Sequence, residues 1–328
     1  MDIRNRRELK AAAARSLTNA AYDPKKLVLI YTGVALALSL ISLVLDYFLD
    51  QQISGTGGLS GIGTRSVLET VQSLVAMAQS VAMLFWTCGW RYTTIQLYRG
   101  EQVSPASLLQ GFRRFGPVLR LMLLVLAIYY AACVVIAIVV IAFVFAMAVG
   151  LVMANFEQIA AGTDLAAMDG HTILQAMNGF WPVLVIALVV ILVALAFFSY
   201  RLRLMQYFVM DHPEQGVVAA IKNSWKQMKG NVFAMFKLDM SFLWFALPDA
   251  LVAMILYLDT ILPALGMELP VSAEIRYFSA FVLYAVCQLG LYWWRKGYVD
   301  VTYAAAYDAL REPEEQPAQI ENEGTAAG

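Results

Sequence analysis

Pro248-Asp249 stands inside an otherwise apolar stretch, Val232 to Leu258. Read as a helix crossing a bilayer, that stretch puts Asp249 roughly 13 Å from its outer end, at about 1.5 Å per residue. A carboxylate at that depth is costly unless it is protonated, paired or hydrated. Gln79 and Gln288 fall at comparable depth in two other apolar stretches, and Tyr284 lies one turn before Gln288. A cluster of Asp249, Gln79, Gln288 and Tyr284 would satisfy these groups, and the same cluster would suffice to bind a cation or relay a proton. Hydrogen bonding between helices is the plainer expectation, with Pro248 kinking its helix and freeing a carbonyl that needs a donor.

A second constellation is basic. Asp211-His212-Pro213-Glu214 reads as a helix start, with proline at the first helical position. Val217, Val218, Ile221, Trp225 and Met228 then share one helical stripe, against Lys222, Lys226 and Lys229. Leu108, Phe112 and Phe115 face away from Arg113 and Arg114 in the same manner, and Ile3–Ala21 forms a basic amphipathic stretch of its own. Such helices lie in membrane interfaces. Each surface lysine or arginine near an anionic leaflet contributes about 1 kcal/mol. Lys222, Lys226, Lys229, Trp225, Arg113 and Arg114 are therefore the expected contacts to anionic phospholipid headgroups. Ordinary membrane topology would place the same charges.

Other polar residues point to structure. Asp239 follows Lys237 by two positions and reads as an interfacial cap or ion pair. His171 and His212 are expected on opposite sides of a membrane, so they cannot share a metal, and no metal site is expected. The chain contains no HExxH, GxSxG, Walker or GxGxxG pattern. No cofactor is implied. Cys88, Cys133 and Cys287 sit singly in apolar segments without a CxxC, against a disulfide framework.

The elements that must position these residues follow from composition. The chain is 60% hydrophobic and 14% charged, against about 25% charged in an ordinary soluble domain. Six apolar segments approach or exceed the roughly 20 residues that span a hydrocarbon core. They are Leu27–Leu49, Val67–Leu97, Val118–Ala154, Phe180–Tyr200, Val232–Leu258 and Tyr277–Tyr298. The expected fold class is all-α, a polytopic bundle of six transmembrane helices with amphipathic interfacial helices on the cytoplasmic side. Every lysine and arginine except Arg65 and Arg276 falls in one alternate set of loops. The positive-inside rule therefore makes both termini cytoplasmic. Residues 1–26 form the amphipathic N-terminal helix, 27–310 the membrane domain, and 311–328 an acidic tail expected to be disordered. Even-numbered spans end inside with aromatic and arginine residues (Trp90-Arg91-Tyr92, Tyr200-Arg201, Trp293-Trp294-Arg295), which is compatible with three hairpin repeats. Net charge is −1, so the whole-chain balance gives no sign of nucleic-acid binding.

Met228-Lys229-Gly230 and the run Leu238-Asp239-Met240-Ser241-Phe242-Leu243-Trp244 resemble an uncharacterised bacterial integral membrane family, "domain of unknown function 975". Thr302-Tyr303-Ala304-Ala305-Ala306-Tyr307 resembles that family's small-residue stretch after the last span, and Arg7–Lys10 fits its N-terminus. The glycine before the tryptophan is missing here, and no proline precedes Tyr298. The layout is also distantly similar to the membrane domain attached to some glycerophosphodiester phosphodiesterases. Neither resemblance implies an activity, but the first implies a bacterial inner-membrane location.

The leading functional expectation is a non-enzymatic scaffold, an accessory subunit with a protein partner in the membrane, or an inner-leaflet lipid modulator. The rival is a small-solute or proton-coupled transporter, which needs a water-reachable cavity converging on Asp249. An intramembrane enzyme comes third.

Overall fold

Apolar chain in lipid has only its own backbone to hydrogen-bond, so long apolar stretches fold as helices. The computed structural model describes residues 3–55, 62–154, 181–248, 250–255 and 273–311, and every element among them is helical. In order these are α1 (Arg6–Thr18), α2 (Pro24–Gly55), α3 (Ile62–Arg99), a 3-10 turn (Pro105–Leu109), α4 (Gln110–Arg113) and α5 (Phe115–Ala154). There follow α6 (Trp181–Leu202), α7 (Met205–Asp211), α8 (Val217–Gln227), α9 (Val232–Met240), α10 (Ala273–Cys287) and α11 (Gly297–Leu310). Asp249, His171, residues 56–61, 155–180 and 256–272, and those beyond Arg311 lie outside the described residues.

Four helical stretches are long and apolar enough to cross a membrane: Pro24–Leu49, Arg65–Arg99, Phe115–Ala146 and Val185–Asp211. A bent pair brings the number to five. That pair corrects the expected position of the kink in Val232–Leu258. Val232–Met240 and Leu243–Ile255 meet at 66°, and the break falls at Ser241-Phe242 rather than at Pro248. The hydroxyl of Ser241 donates to the Leu238 carbonyl at 2.6 Å, and the Phe242 N–H donates to Asp239 O at 2.8 Å. These i→i+3 bonds tighten the helix end and turn the chain away. The expected sixth span, Tyr277–Tyr298, is the middle of a longer rod. It passes from α10 through a π-helical segment, Gln288–Lys296, into α11 without interruption.

The chain divides into two compact units, one built within Met1–Leu119 and Leu204–Gly328, the other within Arg120–Arg203. In the first, α2 and α3 pack as a hairpin. Trp86 donates its indole N–H to the Tyr31 carbonyl at 3.0 Å, and the Trp90 ring lies 4.9 Å from the Tyr31 ring. Leu27, Val28, Leu97, Leu108 and Val301 close this core. α3 also meets the 3-10 turn and α4 with almost nothing between backbones. A Cβ on Gly89 would overlap the Leu108 carbonyl, and one on Gly111 would overlap that of Phe85. Small residues permit such approach between helices, and Thr93 and Ser107 hydroxyls pair beside it at 3.1 Å. The second unit, α5 from Arg120 together with α6, turns large side chains outward, among them Ile138, Phe145, Ile186 and Val193. An outer surface of this kind suits contact with lipid.

Candidate functional site

The densest polar chemistry lies where α3, α7 and α11 meet, in the first unit. α11 is mostly small (Val301, Ala304, Ala305, Ala306), and all four of these are buried, so it packs closely against α1 and α3. Close approach brings its few polar residues onto arginines of α3. Asp300 accepts from the Trp90 indole N–H at 2.7 Å and from Arg91 at 3.3 Å, and pairs with Lys296 at 2.9 Å. Arg91 also donates to the Tyr207 hydroxyl at 2.7 Å. Lys296 is held against the rings of Tyr31 and Tyr292, at 5.0 and 4.6 Å. Two turns further along α11, Arg99 forks onto both Asp211 oxygens, at 2.7 and 2.8 Å, and reaches Asp308 at 2.8 Å. Tyr307 donates to Asp211 at 3.0 Å, and Arg311 approaches it at 3.4 Å.

Four cations (Arg91, Arg99, Lys296, Arg311) thus meet three carboxylates (Asp211, Asp300, Asp308). Burying a carboxylate is tolerable here because each has charged partners. Burial alone would push the Asp300 carboxyl up. Lys296, Arg91 and the Trp90 donor outweigh it and hold the group below the ordinary carboxylate range. Burial and the neighbouring Asp211 charge push the Tyr307 phenol up, so it stays protonated as a donor. Paired this way, the carboxylates act as clamps rather than as bases or nucleophiles. Among the described residues no group of three His, Cys, Asp or Glu could hold a metal, and all three cysteines are free thiols.

A depressed folded-state value means that Asp300 stabilises the fold above its unfolded value, near pH 3.9, and loses that contribution as pH falls toward the folded value. Thermal unfolding followed by tryptophan fluorescence should therefore show Asp300→Asn less stable than the parent at pH 7. The gap should narrow between about pH 5 and 3. A gap independent of pH would rule the pairing out.

Sequence reasoning missed this cluster and misread several of its members. Asp211 closes α7 instead of starting the next helix, which begins at Val217 after Gly216 with φ +79°. Trp90-Arg91, read as part of the aromatic and arginine close of a span, lies within the helix: Trp90 is buried and α3 runs on to Arg99. Outside the cluster, Asp239, expected as a cap or ion pair, accepts from the Tyr303 hydroxyl at 2.7 Å. One signal was available. Asp300, Tyr307, Asp308 and Arg311 recur at helical spacing.

Of the mid-membrane candidates, Gln79 donates to the Leu38 carbonyl on α2 at 3.5 Å. Gln288 is buried at the head of the π segment, and Tyr284 is half-buried one turn earlier. Asp249 is outside the described residues, so the transporter reading gains no observation. Of the lipid candidates, Arg113 is exposed, whereas Arg114 turns inward, donates to the Met210 carbonyl and lies 4.6 Å over the Tyr92 ring.

The stripe expected on α8 is split. Val217, Ala220, Ser224 and Met228 are buried, while Val218 and Trp225 are exposed beside Lys222, Lys226 and Lys229, also exposed. The helix therefore has one face seated on protein, an outward apolar flank, and lysines next to that flank.

The sequence profile of the family described as "Protein of unknown function (DUF975)" matches residues 1–314. No curated protein and no solved structure matches the chain.

Proposed function

The chain belongs to the DUF975 family of proteins of unknown function, and on that footing we propose a six-span protein of a bacterial inner membrane with both termini cytoplasmic. It acts as a non-enzymatic scaffold or accessory subunit that engages anionic phospholipid at the inner leaflet and offers its bundle to a protein partner. The observation that carries the lipid part of this reading is α8. A helix anchored through Val217, Ala220, Ser224 and Met228 presents Val218 and Trp225 outward with Lys222, Lys226 and Lys229 alongside. An apolar flank bordered by lysines is the form of helix that lies at the headgroup level. The 3-10 turn and α4 present a smaller version, with Phe112 and Arg113 exposed. The paired carboxylates beneath supply rigidity instead of reactivity.

At about 1 kcal/mol per lysine near an anionic surface, three lysines contribute about 3 kcal/mol. The full chain should unfold at higher temperature in nanodiscs containing phosphatidylglycerol than in pure phosphatidylcholine. The Lys222→Ala, Lys226→Ala, Lys229→Ala triple variant should lose most of that difference. Equal gains in parent and variant would refute the assignment.

A further inference from the structure

A cleft of about 290 Å³ opens where α1 ends, α2 begins and the π segment passes. Its floor is apolar, formed by Leu17, Val28 and Gly297. A Cβ at Gly297 would already meet the Val28 side chain at 3.4 Å, so the glycine keeps the floor low. Its wall is two successive tryptophans, Trp293 and Trp294, 51% and 62% exposed. The π segment explains why they stand there. Its wider turn sends Lys296 inward to Asp300 while both indoles point out.

Two cations stand against these indoles, Lys25 within the cleft lining and Arg295 beside it. Lys25 Nζ lies 5.5 Å from the Trp293 ring centre, and the Arg295 guanidinium lies 4.3 Å from that of Trp294. Among the described residues neither is in an ion pair, so their hydrogen-bond donors remain available for a ligand. The cleft's carboxylate, Asp23, accepts from the Lys25 backbone N–H at 2.9 Å, which occupies it as a cap for α2. With an Asp23 oxygen taken up by the cap, Lys25 in the lining and Arg295 beside Trp294 favour an anion.

We infer that this cleft holds the phosphate and glycerol of one anionic phospholipid. The inference deepens the lipid reading above and rests on the chain lying in a membrane, but it names a different surface from α8. A quaternary ammonium is disfavoured because aromatic faces that would receive it already carry cations. A lipid is favoured over a soluble anion because the cleft adjoins the start of an apolar span. Acyl chains leaving it meet exposed Leu29, one turn after Lys25 on the same face of α2. Tryptophans and basic residues at the end of a span are also the groups that settle at headgroup depth.

The test is native mass spectrometry of the full chain released from nanodiscs of phosphatidylcholine doped with phosphatidylglycerol. The parent should retain one phosphatidylglycerol in preference to phosphatidylcholine. Charge-assisted contacts are strong, so Lys25→Gln with Arg295→Gln should lower that retention about tenfold or more. These side chains sit at the rim, and an unchanged unfolding temperature of the double variant without added anionic lipid confirms that it folds. The Lys222, Lys226 and Lys229 triple variant should keep the bound lipid, which separates this site from α8. Equal retention of both lipids by the parent, or undiminished retention by the double variant, would overturn the assignment.

Discussion

Gly89→Val should abolish the folded protein, seen as loss of the monodisperse peak in detergent and of membrane-inserted yield. In an exposed helix, replacing glycine usually helps, by up to about 1 kcal/mol for alanine. Here the sign reverses. A side chain at Gly89 is aimed at the Leu108 carbonyl, and one at Gly111 at the Phe85 carbonyl, so backbone and not a movable side chain must give way. Overpacking a core typically costs about 1–3 kcal/mol when side chains can adjust, and this contact offers no such adjustment. Gly89→Ala should already destabilise, Gly111→Ala likewise, and valine at either position should exceed what the fold tolerates. Val135→Leu, on the exposed side of α5, serves as the control and should leave yield unchanged. Normal yield and unfolding temperature for both glycine-to-valine variants would show that the close approach of α3 to α4 is not needed.

Asp211→Ala should destabilise by about 3–5 kcal/mol, the range for removing one member of a buried ion pair. The side chains of Asp211 and Arg99 are 8% and 18% exposed, so solvent screening is limited. Removing the carboxylate leaves Arg99 with Asp308 and takes away an acceptor from Arg311 and from Tyr307. Asp211→Asn should fall between parent and alanine variant, because an amide oxygen still accepts from Tyr307. A double-mutant cycle of Arg99→Met with Asp211→Ala should return a coupling of about 2–3 kcal/mol. Effects of the two changes that add within about 0.5 kcal/mol would mean that the bidentate contact contributes nothing of its own.

The contrast between these residues and those singled out by sequence shows what local pattern can and cannot reveal. Apolar length sufficed to locate the long helices, because a run such as Ile128–Met147 has no alternative to helix in lipid. The α8 stripe was readable in its period but not in its orientation. Val218 and Trp225 belong to the same apolar arc as Val217, and only packing against α7 decides which edge is covered. Asp211 was misassigned because proline two residues on is consistent with a helix end as much as a helix beginning. The Trp90–Asp300 bond joins residues 210 positions apart, and a single sequence carries no pairing signal at that distance. The bend at Ser241-Phe242 depends on hydroxyl and backbone bonds of one turn, which hydrophobicity does not register, whereas Pro248 drew attention through a general rule.

The placement of the charge clamp on α11 also shapes how the protein is made. Arg91 leaves the ribosome 209 residues ahead of its counter-ion Asp300, roughly 10–40 s at about 5–20 residues per second. Throughout that interval Arg91 on α3 is synthesised but lacks its carboxylate, whereas Arg99 waits only the 112 residues to Asp211. A message or chain cut short before residue 300 leaves Arg91 in that state, with unsatisfied charge for proteases to find. The Arg91 half of the clamp thus closes only once α11 has been made.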